Sequence, residues 1–322
     1  MSKRRSLAQL GLLFICMTTA FAHAAANDPP VVAGPIQDTH DRRLCEGDGL
    51  GDRVITTSLA GVPAIVHVPA KVTRAPIILW HGFGPPANEQ ALLRAFPLED
   101  VAAIKVYLGL PMFGSRAPSG GTDELVRRQR EDMGLLVFKP VVVGAAEELP
   151  RVVAALERQG CMRHGDRIGL FGFSAGGAAA LLSLAQRDVA IGAAVMLNPS
   201  IGLSASVQAY EHATGLKYAW TPESRALAKR TDATERAAQI AAGNPPPAII
   251  VVQGVKDDVV SQASSAELEK ALAPRYARAH ESARFSYRVL DDLPHNLTGA
   301  AADDELHREV SAWFERYLRQ SR

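Results

Sequence analysis

Ser174 is the residue around which chemistry can be built, in the run Asp166-Arg167-Ile168-Gly169-Leu170-Phe171-Gly172-Phe173-Ser174-Ala175-Gly176-Gly177. Arg167 to Phe173 reads as a buried strand and Ala175 to Ala185 as a helix, so the chain must reverse at the serine itself. Gly172 and Gly176 let strand and helix approach closely and hold Ser174 on a strained, exposed tip. A serine hydroxyl is a poor nucleophile at neutral pH. It needs a base within hydrogen-bond reach, and the base needs a carboxylate to fix its tautomer and stabilise its protonated form.

This Gly-x-Ser-x-Gly pattern between strand and helix resembles the nucleophile elbow of the α/β-hydrolase family, whose serine attacks a carbonyl carbon. The resemblance covers about residues 50 to 320 and implies the rest of the site. Gly254-Val255-Lys256-Asp257-Asp258-Val259-Val260 follows a buried strand and is similar to the family's Gly-x-x-Asp-x-x-Val. It selects Asp257 as the acid that orients the base, with Asp258 as runner-up. Of the 9 histidines, only His295 lies in the loop after the last strand, which keeps the family order Ser174, Asp257, His295. After the strand Ala75 to Trp80 comes His81-Gly82-Phe83-Gly84, and the resemblance makes the amides of Phe83 and Ala175 the oxyanion donors. An ordinary Gly-rich turn is the alternative reading of His81 to Gly84. Phe83, Phe173 and Asn198 are candidates to line a substrate pocket, Asn198 otherwise capping the end of a strand. Arg116 can meet a substrate carboxylate, and a solvated or loop-bracing role is favoured over that.

Those residues need a scaffold. Arg53 to Ser58 and Pro63 to Val68 read as an antiparallel hairpin at one edge of a sheet. Strands follow at Ala75 to Trp80, Val101 to Leu108, Ile191 to Leu197, Pro247 to Gln253 and Phe285 to Leu290. Helices are expected at Asn88 to Phe96, Glu124 to Gly134, Val141 to Gln159 (kinked or restarted at Pro150), Ser261 to Ala273 and about Ala301 to Arg319. The alternation predicts an α/β fold with a mostly parallel, doubly wound sheet. In the family this is an eight-stranded α/β-hydrolase sheet flanked by helices, with a helical cap insertion at about residues 201–243. There Tyr210, Tyr218 and Trp220 either roof a pocket or hold the cap helices together.

Composition narrows the partners. The 322 residues are 47% hydrophobic, ample for a sizeable core. With 35 basic against 34 acidic residues, nothing favours a nucleic acid or an electrostatic hold on a membrane. Lys3, Arg4 and Arg5 precede the apolar run Leu7 to Phe21 and then Ala22-His23-Ala24, the pattern of a secretory signal peptide. Residues 1–24 are therefore expected to be removed, with Ala26 as another cleavage point and an uncleaved anchor as the alternative, leaving a hydrolase domain over 25–322 without a stable membrane anchor after cleavage. A periplasmic or secreted location follows. Cleavage removes Cys16 and leaves Cys45 and Cys161, which an oxidising compartment favours as a disulfide. The alternative is two separate thiols, with Cys161 buried at a helix-to-strand corner.

No cofactor is implied, and neither the His-Glu-x-x-His metal motif nor the Gly-x-Gly-x-x-Gly fingerprint occurs. Within the family the chain is similar to the dienelactone hydrolase and serine esterase or peptidase branch. Dienelactone hydrolases carry cysteine where Ser174 stands, which speaks against that activity. The expected function is a serine hydrolase that cleaves a carboxylic ester of small-molecule or peptide-like type. An exopeptidase using the same residues, or a silent binding protein of the same fold, are the alternatives. The large propeller of prolyl oligopeptidase enzymes does not fit in this length, which lowers the peptidase reading.

Overall fold

A computed structural model of the chain describes residues 44–45, 51–297 and 304–319. The expected signal peptide, most of the lead-in to residue 44 and the first residues of the last helix lie outside the described residues. Arg53–Leu59 (β1) and Val62–Val68 (β2) pair antiparallel across Ala60 and Gly61. Both turn residues have positive φ, 51° and 82°, which matches the right-handed twist of a two-residue hairpin.

Ile77–Trp80 (β3), Lys105–Leu108 (β4), Ile168–Phe173 (β5) and Ile191–Leu197 (β6) are buried along their whole lengths. Ala248–Lys256 (β7) and Phe285–Pro294 (β8) complete an eight-stranded sheet of order β1-β2-β4-β3-β5-β6-β7-β8. From β4 to β8 every pairing is parallel, and β2 joins β4 antiparallel. From β3 the chain moves to β4 on one side, and from β5 to β6 on the other. The crevice at the carboxyl ends of β3 and β5 is therefore the topological switch point, where doubly wound sheets place their ligands.

The helices cover both faces because the strands alternate their apolar side chains between two cores. Ile78, Trp80, Val106, Leu170 and Met196 belong to one. Ile77, Leu79, Phe171, Phe173 and Val195 belong to the other, together with Leu306, Val310, Trp313 and Phe314 of Asp304–Tyr317. The remaining helices, in chain order, are Glu89–Ala95 (α1), Gly121–Asp132 (α2), Gly144–Arg158 (α3), Ala175–Gln186 (α4), Leu203–Thr214 (α5), Pro222–Thr231 (α6), Ala237–Ile240 (α7) and Gln262–Arg278 (α8), before Asp304–Tyr317 (α9). No helix among the described residues is long and apolar enough to cross a membrane.

Between the strands, the helices differ from the sequence expectation in detail. Between α2 and α3 the chain does not loop out but continues as a π-helical stretch, Met133–Val143, started by the Asp132 side chain accepting from Leu135 N–H at 2.8 Å. Pro140 within it has no N–H to close an ordinary helical bond, and the wider turn accommodates that loss. By contrast α3 runs through Pro150 without restarting, because Ala146, Leu149, Val153 and Leu156 stay buried as one stripe.

Residues 201–243 hold α5, α6 and α7. Tyr218 and Trp220 meet edge to face at 4.9 Å, and the Tyr218 hydroxyl donates to Asp132 Oδ1 at 2.6 Å. Tyr218 thereby ties this segment to the end of α2. Cys45 and Cys161 are joined by a disulfide.

Candidate active site

Ser174 sits between β5 and α4 at φ 53°, ψ −115°, a conformation that costs about 1–3 kcal/mol and persists only when its surroundings enforce it. Ser174 N–H donates to Leu197 O at 3.0 Å, and its carbonyl accepts from Gly177 N–H at 3.0 Å and Ser200 N–H at 3.1 Å. The glycines are a packing requirement. A Cβ on Gly172 would lie 2.4 Å from Gly176 O, and one on Gly176 would lie 2.5 Å from the carbonyl oxygens of Trp80 and His81.

His295 lies directly after β8, whose run to Pro294 is longer than the sequence pattern indicated. Its Nε2 is 3.0 Å from Ser174 Oγ, and its Nδ1 is 2.9 Å from Asp257 Oδ2 and 3.0 Å from Oδ1. Asp257 also accepts from the N–H groups of Val259 at 2.9 Å and Val260 at 2.8 Å, so the carboxylate is fixed as an acceptor. That assigns the proton to Nδ1 and leaves Nε2 to accept from the serine hydroxyl. Asp258 is exposed, and the carboxylate bonded to His295 Nδ1 is that of Asp257. The His295 and Asp257 side chains are 4% and 0% exposed, so the pair works away from bulk water.

The expected oxyanion amides flank the serine. Ala175 is the first residue of α4, so its N–H has no partner within the helix. A Cβ on Gly82 would stand 2.9 Å from Ser174 Cβ, which places the Gly82–Phe83 peptide against the nucleophile. Phe83 stacks on Phe113 with ring centroids 5.3 Å apart. His81 joins this wall from behind. It is fully buried, its Nε2 accepts from Leu110 N–H at 3.1 Å, and burial pushes it down to about 4. It is thus a neutral brace between the β3 and β4 loops.

Other expected residues have different surroundings. Phe173 is fully buried with its ring 5.2 Å from that of His295, a wall behind the imidazole and not an open pocket face. Asn198 is also fully buried at φ 42°. Its Nδ2 donates to Pro294 O at 2.9 Å and its Oδ1 accepts from Gly254 N–H at 2.8 Å. Both polar atoms are thus occupied in tying the loops of Asp257 and His295 together. Arg116 braces its loop, bonding Glu148 at 2.6 and 2.9 Å and Gly109 O at 3.0 Å.

Sequence reasoning missed Gln253 and Ser265. Gln253 Nε2 donates to Asp257 Oδ2 at 3.0 Å, and Ser265 Oγ donates to Gln253 Oε1 at 2.6 Å. The available signal was a polar residue ending the apolar strand Ala248-Ile249-Ile250-Val251-Val252-Gln253.

Residues 144–321 match the model of the prolyl oligopeptidase family. Among solved structures, a Thermus thermophilus protein is similar at TM-score 0.58 and 20% identity, over 83% of this chain and 98% of that one. The Pyrococcus furiosus esterase is similar at TM-score 0.51 and 18% identity, over 83% and 91%. Porphyromonas gingivalis dipeptidyl peptidase 4 gives TM-score 0.55 at 14% identity, over 83% of this chain but 35% of that one. No curated protein matches the chain.

Proposed function

Since the chain belongs to the prolyl oligopeptidase family and is a serine hydrolase of the α/β-hydrolase superfamily, we propose that it cleaves carboxylic esters through an acyl-enzyme on Ser174. The observation that carries this reading is the unbroken hydrogen-bond chain from Ser174 Oγ through His295 to Asp257 at the switch point. His295 Nε2 takes the hydroxyl proton as Ser174 Oγ bonds to the substrate carbonyl carbon. Asp257 stabilises the imidazolium that forms.

The carbonyl oxygen becomes an oxyanion between the Phe83 and Ala175 amides, where one donor lowers the barrier by about 3 to 4 kcal/mol in comparable sites. Collapse expels the alcohol, which takes the proton from His295. Water then attacks the acyl-enzyme with the same histidine as base, returning acid and free Ser174.

An ester is favoured by the half-buried Phe83 ring, stacked on buried Phe113, which suits an acyl chain or aryl group. The family match favours an exopeptidase as the second reading, because the same three residues serve amides. Residues 1–24 act as the export signal in this account, and the disulfide supports an oxidising destination.

The purified protein tests the choice on p-nitrophenyl esters of increasing acyl length beside aminoacyl p-nitroanilides, with Ser174→Ala as control. We expect turnover of esters exceeding that of anilides and absent from the variant. Turnover of anilides alone would replace the ester reading with the peptidase one. A folded protein inert to both would point to the binding protein.

A further inference from the structure

At the opposite end of the sheet from Ser174, four arginines from distant parts of the chain converge. Arg167 precedes β5, Arg284 precedes β8, and Arg316 and Arg319 come from the end of α9 and just after it. Together with Gly192 and Tyr317 they line a cleft of about 430 Å³. Because β5 has six residues, roughly 20 Å of strand separates this cleft from the serine.

Several arginines elsewhere on the surface are neutralised by a neighbour. Arg74, Arg116, Arg127, Arg230 and Arg288 each pair with a glutamate. Among the described residues none of the four cleft arginines has a carboxylate partner. Backbone carbonyls hold two of them in place instead. Arg167 donates to Ile191 O from Nε at 3.2 Å and Nη2 at 2.9 Å, and Arg284 donates to Pro246 O from Nε at 2.8 Å.

Tyr317 supplies a fixed plate between guanidiniums, with Arg284 at 5.2 Å and Arg316 at 5.0 Å from its ring centroid. Its hydroxyl donates to Ala283 O. The carbonyl bonds hold Arg167 and Arg284, and the ring contacts hold Arg284 and Arg316, without neutralising them. Burial and then the charge of Arg284 push Arg167 below its ordinary value, so the neighbouring guanidiniums repel one another.

We propose that this cleft is a binding site for a small phosphate or sulfate monoester. A tetrahedral oxyanion accepts from several guanidinium forks at once, in the bidentate geometry that arginine favours. The volume lies in the range of small-molecule sites. It leaves room for a sugar-sized substituent beside the anionic head. The site is separate from the ester chemistry and does not depend on it.

Calorimetric titration and thermal melting of the wild-type protein test this at constant ionic strength. The probes are glucose 6-phosphate, glucose 6-sulfate, inorganic phosphate and neutral glucose. Saturable binding of a charged ester, with a raised melting temperature and no effect of glucose, is expected. The stronger of the two esters identifies the head group. Arg167 and Arg284 also brace backbone, so Arg316→Gln and Arg319→Gln carry the mutational test. Each should weaken ester binding by about tenfold or more, from the loss of charge-assisted hydrogen bonds. Absence of saturable binding to the wild type, or equal affinity in wild type and both folded variants, would overturn the proposal.

Discussion

Gln253 Nε2 donates to Asp257 Oδ2 at 3.0 Å, and the same oxygen stands 2.9 Å from His295 Nδ1. A strand residue thereby fixes the same oxygen of a loop acid that the histidine uses, and Ser265 fixes the glutamine in turn. In Gln253→Leu the carboxylate loses that donor and the Ser265 hydroxyl is left buried without its acceptor. We expect kcat on a p-nitrophenyl ester to fall about tenfold, or ~1.4 kcal/mol in the barrier, while KM changes less than about twofold. Loss of KM with kcat intact would instead place Gln253 in substrate binding.

Acid should weaken the fold through His81. Burial holds it at about 4 in the folded protein against 6.5 for an ordinary histidine. As pH falls below 6.5, the unfolded chain therefore takes up the proton first. Stability is lost across the window from 6.5 to 4, approaching about 3 kcal/mol at its lower end, and the effect vanishes above it. His67 shifts the same way, through burial and then the charge of Lys105. Urea unfolding from pH 7.5 to 4 measures this. His81→Gln, which does not titrate, should lose less stability over that window than the wild type, and an equal loss would contradict the assignment.

The disulfide joins residues 116 apart in sequence and lies at the turn between α3 and β5, at the end of β5 away from Ser174. Converting Cys45 and Cys161 together to serine should lower the unfolding free energy by about 2–4 kcal/mol through the freed denatured chain. Ester turnover per folded molecule should stay within about twofold. A large fall in turnover at unchanged stability would show that this link shapes the active site.

What the sequence made legible follows from where the information is local. Ser174 lies within its own strand, glycines and helix, and Asp257 and His295 each follow an apolar strand, so their positions could be read one segment at a time. Asn198 could not be read this way, because its partners Gly254 and Pro294 lie 56 and 96 residues further along the chain. The Gln253 contact crosses only four residues, yet an inward-facing side chain at a strand end has no periodic mark. Met133–Val143 was obscure for another reason: a nearly continuous apolar run carries no helical stripe, and Pro140 argues for a break that the wider turn avoids. The arginine cleft is a product of topology, assembled from residues 167, 284, 316 and 319.

The measurement that bears most directly on the account is labelling of the folded protein with a fluorophosphonate, followed by peptide mass mapping. The serine held 3.0 Å from His295 Nε2 should carry the label, which should vanish in Ser174→Ala and fall at least a hundredfold in rate in His295→Ala. Undiminished labelling of a folded Ser174→Ala variant, or none in the folded wild type, would contradict Ser174 as the nucleophile.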